Sequence, residues 1–565
     1  SRYLLAILLL LSSVVIASCG GGGGGGDDGG GTPPAGPTPL ATGTFTKTVE
    51  LVGTDINYGN LFSTIASNRY QMLYRAQELN GAGYITSISF QYNVGIGAAV
   101  NCPNETIKMG HTNLADLTTT FANNVEVGQG SLVTVLNNAS VNIPAGAASA
   151  YFSITLAQPF YYNGVDNLVV EVSRTSACSG NVDVDADIAS TPYNALNYNG
   201  TDAAGATGSL FNYLASARFT FAGGDNAPFA VGGANNQVPF SSTATIQRVQ
   251  NLYLSSDIDG SGPVTGMGIE IGATTTAQTY TVSVKLGHAT VNTLASNYDA
   301  NYSGSPTTVA NNVAFIVPAG VPAGSYVWIP LTGSFNYNGT DNLLLELIVS
   351  SATGDTFFRY HLVGAARLIY GPNDASVITP VGAIQHAKFR FNGGTMDVIE
   401  PSLASYNVPF DGSGTGLVLQ SLYGSYVLGT SGAINRVSLR LAADTAADVT
   451  YTGATITLGH TTLSDLTVTL ANNMDDPRVV FTGNITIPGG LKAGDWINIP
   501  VSGFTYDPTK NLTLQLQSGT GPSSIFLIYG GSGVISNSGA ATPGSATMGG
   551  FEGTRHPHMR LGVSK

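Results

Sequence analysis

A segment that recurs three times along the chain constrains the fold more than any other feature. In each copy an aromatic run ends in a turn and an apolar run follows, at residues 160–172, 335–348 and 504–517. The first two copies turn through Asn-Gly, whose residues tolerate positive φ, and the third turns through Asp-Pro, which suits a type I turn. After the third turn, leucine alternates with polar residues across 512–517, as in a half-buried strand. The pattern therefore predicts three β-hairpins in equivalent places.

Further landmarks recur in the same order and predict three copies of a whole domain. A Gly-His pair ends at His111, His288 and His460, which are 177 and 172 residues apart. This period is too long for a solenoid unit of about 20–50 residues and matches the size of a domain. We expect tandem domains at 45–224, 225–395 and 396–565, each with its own core. The joints between them are expected within residues 223–236 and 392–401.

The composition favours an all-β fold inside each unit. The chain has 72 Gly and 26 Tyr, and only 10% of its residues are charged, so helix-forming Glu, Lys and Arg are scarce. About eight strands per unit, separated by turn residues, predict a two-sheet β-sandwich of jelly-roll type, with a closed barrel as the alternative. Residues 113–121 and 462–470 could each hold a short turn. The formal net charge of −13 argues against a nucleic-acid partner, which requires a basic surface.

The N-terminal residues indicate export. Arg2 precedes an apolar run at 3–17, which has the length of a signal-peptide core and is short for a membrane span. Residues 1–18 are therefore predicted to be a signal peptide. Residues 19–44, rich in Gly and Pro, are predicted to be a flexible tether. The sequence Ile-Ala-Ser-Cys, ending at Cys19, resembles the lipobox of bacterial lipoproteins. The resemblance implies cleavage before Cys19 and its lipidation, and Gly20 leaves the outer membrane open as the destination. The alternative is an ordinary signal peptide with a chance cysteine.

The other two cysteines, Cys102 and Cys178, both fall in the first unit. They flank segments 106–111 and 168–172, which would bring the two residues to one end if these strands are antiparallel neighbours. A disulfide suits an exported protein, and two unpaired thiols are the alternative. Because the other units lack the pair, the disulfide would stabilise the first unit locally and would not be a functional site.

Metal sites have limited support in the sequence. The three Gly-His histidines continue a core-facing row at a strand end, so a structural role is expected for them. Asp257, Asp259 and Ser261 resemble the opening of a calcium loop, but the closing Glu is missing. Alternating aspartates at 183–187 are a second calcium candidate, for which a turn or a solvated strand edge is the alternative. No other cofactor is expected.

Trp328 and Trp496 are the only tryptophans, and they are expected to share a face. Packing in a sandwich core is the favoured interpretation, and a stacking platform for sugar rings is the alternative. The sequence lacks the short motifs of serine hydrolases, zinc proteases, thiol oxidoreductases, nucleotide-binding loops and covalent haem. We therefore expect no enzymatic activity, although two carboxylates could still meet in space for glycoside hydrolysis.

The strand-Gly-His and Tyr-Asn-Gly-x-Asp-Asn-Leu motifs resemble those of tandem jelly-roll modules in bacterial secreted and surface lipoproteins. The likeness covers about 500 residues and its motifs are structural. It implies an exported protein, anchored by lipid at the outer membrane or cell surface, with a structural or adhesive role toward a surface, a matrix or another chain. A carbohydrate-binding lipoprotein for polysaccharide capture is the alternative function, and an exported hydrolase is the third. The ligand, the oligomeric state and the organism are not determined by the sequence.

Overall fold

The computed structural model describes residues 43–50, 53–125, 132–189, 195–229, 233–243, 248–372, 380–391, 395–398, 402–412, 416–530, 538–548, 550–551 and 555–564. The predicted signal peptide at 1–18, Cys19 and nearly all of the tether predicted at 19–44 lie outside these residues. Within the described ranges, no helix is long and apolar enough to cross a membrane.

The described residues form strands joined by turns and one-turn helices, which confirms the all-β prediction. The strands of the first repeat are β1 Thr44–Val49, β2 Gly53–Phe62, β3 Asn68–Tyr74, β4 Gly81–Gln91, β5 Val100–Thr112, β6 Val133–Ile143, β7 Tyr151–Tyr162, β8 Asn167–Arg174, β9 Val182–Ala189, β10 Leu196–Asn199, β11 Ser209–Phe211, β12 Tyr213–Ala215 and β13 Ala217–Asn226. Those of the second are β14 Ala234–Asn236, β15 Arg248–Tyr253, β16 Gly260–Glu270, β17 Gln278–Ala289, β18 Thr307–Val317, β19 Tyr326–Ile329, β20 Phe335–Tyr337, β21 Asn342–Ala352, β22 Phe358–Leu362, β23 Leu368–Gly371, β24 Ala383–Gln385 and β25 Ala387–Phe391.

The strands of the third repeat are β26 Thr395–Val398, β27 Ser402–Tyr406, β28 Val418–Tyr423, β29 Gly432–Arg440, β30 Val449–Thr461, β31 Arg478–Ile487, β32 Trp496–Tyr506, β33 Asn511–Gln517, β34 Leu527–Gly530, β35 Ser538–Ala541, β36 Gly550–Phe551, β37 His556–Pro557 and β38 Met559–Ser564. The one-turn α-helices are α1 Ala76–Leu79, α2 Ser255–Ile258 and α3 Ser425–Leu428. Short 3-10 helices span Phe121–Asn124, Asp299–Asn301 and Leu470–Asn473. Two of them start at the last residue of segments where the sequence predicted a short turn.

Two antiparallel sheets in each repeat have the strand order of a jelly roll. In the first repeat one sheet runs β1-β13-β4-β7 and the other β3-β8-β5-β6. The third repeat has the same orders, β26-β38-β29-β32 and β28-β33-β30-β31, and the second has β13-β25-β16 with β19 and β20, and β15-β21-β17-β18. In chain order these strands pass back and forth between the two sheets, as in a jelly-roll sandwich. The sheets are open, so the fold is the predicted sandwich and the barrel alternative is wrong.

Each repeat also carries a small third sheet, which was not among the elements predicted from the sequence. It has three strands, with the orders β12-β9-β2, β14-β22-β24 and β27-β34-β37. We call it the side sheet. It supplies the residues of the candidate site described below.

The predicted hairpins are turns between sheets. Strand β7 pairs with β4 in one sheet, whereas β8, directly after the turn, pairs with β3 and β5 in the other. The other two repeats have the same arrangement. The prediction of a turn is therefore right and that of a hairpin is wrong. The left-handed glycine of an Asn-Gly turn reverses the chain whether or not the two strands then pair.

One strand is shared by the first two repeats. Residues 217–222 of β13 pair with β1, and Gly224 to Asn226 pair with β25 of the second repeat. The strand stays continuous past the predicted boundary because Gly223 and Gly224 have positive φ at a bulge. A Cβ on Gly224 would lie 2.1 Å from the carbonyl oxygen of Ala82. Only glycine allows this approach.

The expectation of a separate core in each repeat is wrong for the first two repeats. Most of their buried apolar residues form one cluster that extends from Phe45 to Phe391, and six others of the second repeat form a small separate cluster. The ring of Phe45 stacks on Phe221 at 4.7 Å and lies 6.0 Å from Phe391 of the second repeat. The third repeat has a core cluster of its own, as expected.

The third repeat packs against both others through arginine and aromatic side chains. The guanidinium of Arg560 lies 3.7 Å from the ring centre of Tyr161 and 4.2 Å from that of Trp496. Trp328 is buried against Gly429 and beneath Arg390, at the contact between the second and third repeats. Neither tryptophan therefore belongs to a sandwich core, and the expectation of core packing is wrong for both.

Candidate functional site

The three Gly-His histidines hold the turns between the sheets. Each imidazole Nε2 accepts a hydrogen bond from the first backbone N–H of the turn, and the rings of His111, His288 and His460 lie against the turn tyrosine. The N–H donors are those of Asn163, Asn338 and Asp507, at 3.2, 3.1 and 2.9 Å. Since the same contact recurs in each repeat, it accounts for the histidine as a structural residue.

Burial lowers the pKa of His111 well below its ordinary value, and the nearby Arg440 and Arg560 of the third repeat lower it further. Burial also lowers the pKa of His288, although Asp341 opposes the change. A neutral ring suits this site, because a protonated Nε2 could no longer accept the hydrogen bond from the turn.

A buried polar network covers the outer face of the sheet containing β3, β8 and β5, and we call it the outer-face network. In the first repeat Glu171 accepts hydrogen bonds from Arg69 at 2.7 Å and Gln71 at 2.8 Å, and it lies 3.3 Å from the Nζ of Lys108. The amide of Asn124 donates to Gln71 at 2.8 Å. Asn124 also bonds the loop before it, so the network fastens that loop to the sheet.

The second repeat has the same network and the third has a neutral version. Residues equivalent to Gln71, Glu171 and Asn124 are Gln250, Glu346 and Asn301 in the second repeat and Gln420, Gln515 and Asn473 in the third. No role was expected for these glutamines from the sequence. Their recurrence three residues before a tyrosine, at Tyr74, Tyr253 and Tyr423, would have been the available signal. The network gives the recurring amides a structural role.

Cys102, in β5, and Cys178, four residues after the end of β8, form a disulfide in the structure, and β5 and β8 are antiparallel neighbours. With Glu105 they make the one group of three potential metal-ligating residues found among the described residues. Burial raises the pKa of Glu105 to about 7, against the opposing effect of Arg174 at 3.3 Å. A disulfide sulfur is not a thiolate ligand, so this group is not a metal site.

The candidate calcium residues have other roles. Asp257 lies in α2, where its carboxylate accepts hydrogen bonds from the backbone N–H of Leu254 at 2.8 Å and from Arg367 at 2.6 Å. Asp259 ends the helix in a left-handed conformation with φ 42°, and Ser261 lies in β16, paired with Thr44. The structure therefore assigns Asp257 to helix capping and does not form the calcium loop that the sequence suggested.

The aspartates at 183–187 lie on one face of β9, as their alternation predicted. Strand β9 is the middle strand of its sheet, so the prediction of an edge is wrong. The hydroxyl of Ser216 lies 3.2 Å from the carboxylates of both Asp185 and Asp187. These two aspartates line an open cleft of about 360 Å³, together with Glu50, Gln91, Tyr92, Asn93 and Ser149.

The same place in the other repeats carries different chemistry. The backbone N–H of Ser216 donates to Asp185 O at 2.9 Å, and His386 and His558 make the equivalent bond to Arg359 and Ile528. Strand pairing places three side-sheet residues at one position, namely Asp187, His361 and Gly530. Three positions are thus defined in each repeat: that of the N–H donor, that of its carbonyl acceptor, and that of Asp187, His361 or Gly530. At a fourth position, Gln91, Glu270 and Arg440 are paired across the main sheet with Tyr151, Tyr326 and Trp496. We call these four positions the side-sheet cluster. Unlike the histidines and amides above, they are not kept constant, which makes them the candidate positions for ligand contact.

Comparisons with known proteins do not assign a family. No family model matches the chain, and no curated protein matches it. Matched solved structures include a chain of Sulfolobus turreted icosahedral virus, with 12% identity, 88% of this chain and 100% of that chain covered, and a TM-score of 0.13. Another belongs to an archaeal virus with a triple jelly-roll fold and turret assembly, with 11% identity, coverage of 85% and 97%, and a TM-score of 0.11. TM-scores this low do not support a fold assignment, so the jelly-roll assignment rests on the strand order of the sheets.

Proposed function

We propose that this protein is a lipid-anchored bacterial surface protein with a non-catalytic, structural or adhesive role. The observation that carries the proposal is the use of the recurring histidines and amides, which bind backbone turns, loops and one another. Within the described residues these recurring contacts are structural, so the repeats provide a scaffold that holds variable positions. The lipobox-like sequence at Cys19 supports the anchor. It leads to the outer membrane or the cell surface as the location.

The anchor is tested by fatty-acid labelling of cells that express the full chain. We expect label and membrane association in the wild type and the loss of both in Cys19→Ser. The matched control is Cys102→Ala with Cys178→Ala, which keeps Cys19 as the sole cysteine and should keep the label. Label that persists in Cys19→Ser would contradict the lipid anchor.

The adhesive role is tested with cells that display the full chain. Wild-type cells should adhere to an immobilised matrix or surface more than Cys19→Ser cells, which release the protein from the membrane. Equal adhesion by the two strains, with display of the wild type shown by surface proteolysis, would contradict an adhesive role.

Carbohydrate binding is the second candidate, and the cleft beside Asp185 and Asp187 favours it. Its carboxylate and amide groups can exchange hydrogen bonds with sugar hydroxyls, although the aromatic ring in the lining, Tyr92, is buried. Saturable binding to one polysaccharide on a glycan array, lost in Asp185→Asn with Asp187→Asn, would favour this candidate. The two carboxylates project side by side from β9 and share Ser216, so they do not face each other as the hydrolase candidate would require.

A further inference from the structure

The side-sheet cluster of the second repeat contains a buried histidine that is held by a carboxylate. The Nδ1 of His386 lies 2.8 Å from Oε2 of Glu270, and both side chains are fully buried. The hydroxyl of Tyr326 donates to the same carboxylate at 3.4 Å, and Nε of Arg359 lies 3.5 Å from its other oxygen. Glu270 is therefore fixed from three sides, and it fixes the imidazole in turn.

The other ring nitrogen of His386 has no hydrogen-bond partner within the described part of the chain. In the neutral ring, Nδ1 carries the proton that is donated to Glu270, so Nε2 presents a buried lone pair. Buried polar atoms in proteins are nearly always satisfied, and an exception calls for an explanation such as an ion. A histidine whose second nitrogen donates to a carboxylate is the usual arrangement of a histidine metal ligand.

A second histidine lies beside the first. The ring centres of His361 and His386 are 5.7 Å apart. Two imidazoles on one tetrahedral ion, with metal–nitrogen distances of about 2.0–2.1 Å, have ring centres roughly 5–6 Å apart. Phe229 contacts both rings, at 5.2 and 6.0 Å, and gives the pair an apolar wall. His361 is partly exposed, so the pair can be reached from solvent.

The fold does not require histidine at these positions. The residues equivalent to His386 and His361 are Ser216 and Asp187 in the first repeat, and His558 and Gly530 in the third. All three versions form the same backbone hydrogen bond at 2.9 Å. The pairing of two histidines with a carboxylate is thus specific to the second repeat.

We infer that this cluster binds a divalent transition-metal ion of the class that prefers imidazole, such as Zn²⁺ or Cu²⁺. His386 Nε2 and a ring nitrogen of His361 are the protein ligands, and Glu270 is the positioning residue that orients His386. Water or a group from a partner completes the coordination. The salt bridge between Arg359 and Glu270 does not involve Nε2 of His386, so metal binding leaves that salt bridge in place.

The test is titration of the chelator-treated full chain with Zn²⁺ by calorimetry and with Cu²⁺ by electron paramagnetic resonance. We expect one site whose copper spectrum shows two coordinated nitrogens. The site should be lost in His386→Gln, whose amide can still donate to Glu270, and in His361→Phe, which keeps a ring against Phe229. Glu270→Gln should weaken binding by about 10–100-fold.

The matched control is His288→Gln, which removes a histidine outside the cluster and should leave the site intact. Binding that survives in both ligand variants would overturn the inference, as would no binding in a wild type shown to be folded by circular dichroism. Binding of phosphate or acetate at these residues in place of the metal ion would also overturn it.

Discussion

The outer-face network of the second repeat and that of the third share a geometry but differ in charge. In the second repeat the fully buried Glu346 lies 2.7 Å from Arg248 and 3.0 Å from Lys285. In the third, Gln515 stands in place of the carboxylate and receives a hydrogen bond from Gln420 at 2.9 Å. The strand pairings place Val418 and Thr457 where the second repeat has its two cations.

The difference shows that the three charged positions behave as a unit. A buried carboxylate is tolerated where cations and hydrogen bonds satisfy it, and it is costly where they are missing. The amide that fastens the loop is unaffected, because Asn301 and Asn473 donate to Gln250 and Gln420 at 3.0 and 2.8 Å. The amides therefore hold the loop, and the charges are a replaceable addition.

The largest expected effect is that of a carboxylate placed in the neutral network. Gln515 is partly exposed, so Gln515→Glu should destabilise β33 by about 2–3 kcal/mol at pH 7, since the new charge has no cation beside it. Hydrogen exchange of the β33 amides in the full chain measures the change in opening free energy. Adding Val418→Arg and Thr457→Lys should recover most of the loss. A loss of stability under about 1 kcal/mol for Gln515→Glu alone would contradict the view that a carboxylate here requires its two cations.

A smaller effect is expected from removing the loop amide. Asn473→Ala leaves the buried Gln420 without its partner and should cost about 1–3 kcal/mol in the opening of residues 467–473. Asn301→Ala should cost the same in the second repeat, because its hydrogen bonds are equivalent. The measurement is again hydrogen exchange, with each variant serving as the other's control. A much larger loss in the charged repeat would show that the charges also hold the loop.

Much of the fold could be predicted from the sequence, because it depends on local patterns that recur. The period, the strand alternation and the placement of Cys102 and Cys178 at one end of neighbouring strands are all encoded in residue spacing. The hairpins were mistaken because turn chemistry at Asn163 is the same whether the next strand pairs with the last one or enters the other sheet. The shared strand β13 depends on the close approach of Gly224 to Ala82, which no local pattern reveals.

The candidate site could be predicted only in part. The alternation of Asp185 and Asp187 was visible, but the pairing of His386 with Glu270 joins residues that are far apart in sequence. Unless the repeats are compared, the residues around His386 do not indicate that it belongs to a site. The side sheet brings these positions together, and in the second repeat its strands β14, β22 and β24 have only three to five residues, too few for an alternation that stands out.

Replacing all three charged residues of the second repeat's network with their counterparts in the third should have a still smaller effect on stability. Arg248→Val, Lys285→Thr and Glu346→Gln together convert the second network to the composition of the third. The triple variant should remain within about 1 kcal/mol of the wild type, because whole buried ion networks can often be replaced at little net change. Glu346→Gln alone should cost about 1–3 kcal/mol, because Arg248 and Lys285 lose the Glu346 carboxylate while both are partly exposed and Arg248 keeps Asp299. Urea unfolding of the full chain compares the two variants. A triple variant as unstable as the single one would contradict the view that the positions act as a unit.

The smallest effect is expected at the turn histidine of the second repeat. Because burial lowers the pKa of His288 in the folded chain, its contribution to stability is present above the ordinary value of about 6.5 and is lost as the pH falls. His288→Gln keeps an acceptor for the Asn338 N–H and cannot be protonated, so it should lose less stability between pH 7 and pH 5. The difference should stay below about 1 kcal/mol, since solvent screens this partly exposed ring. Glu105, whose pKa is raised to about 7 by burial, contributes stability that is lost as the pH rises, but it is present in both proteins and cancels in their comparison. Equal acid slopes in the two proteins, measured by urea unfolding, would mean that the turn in the charged repeat does not depend on a neutral histidine.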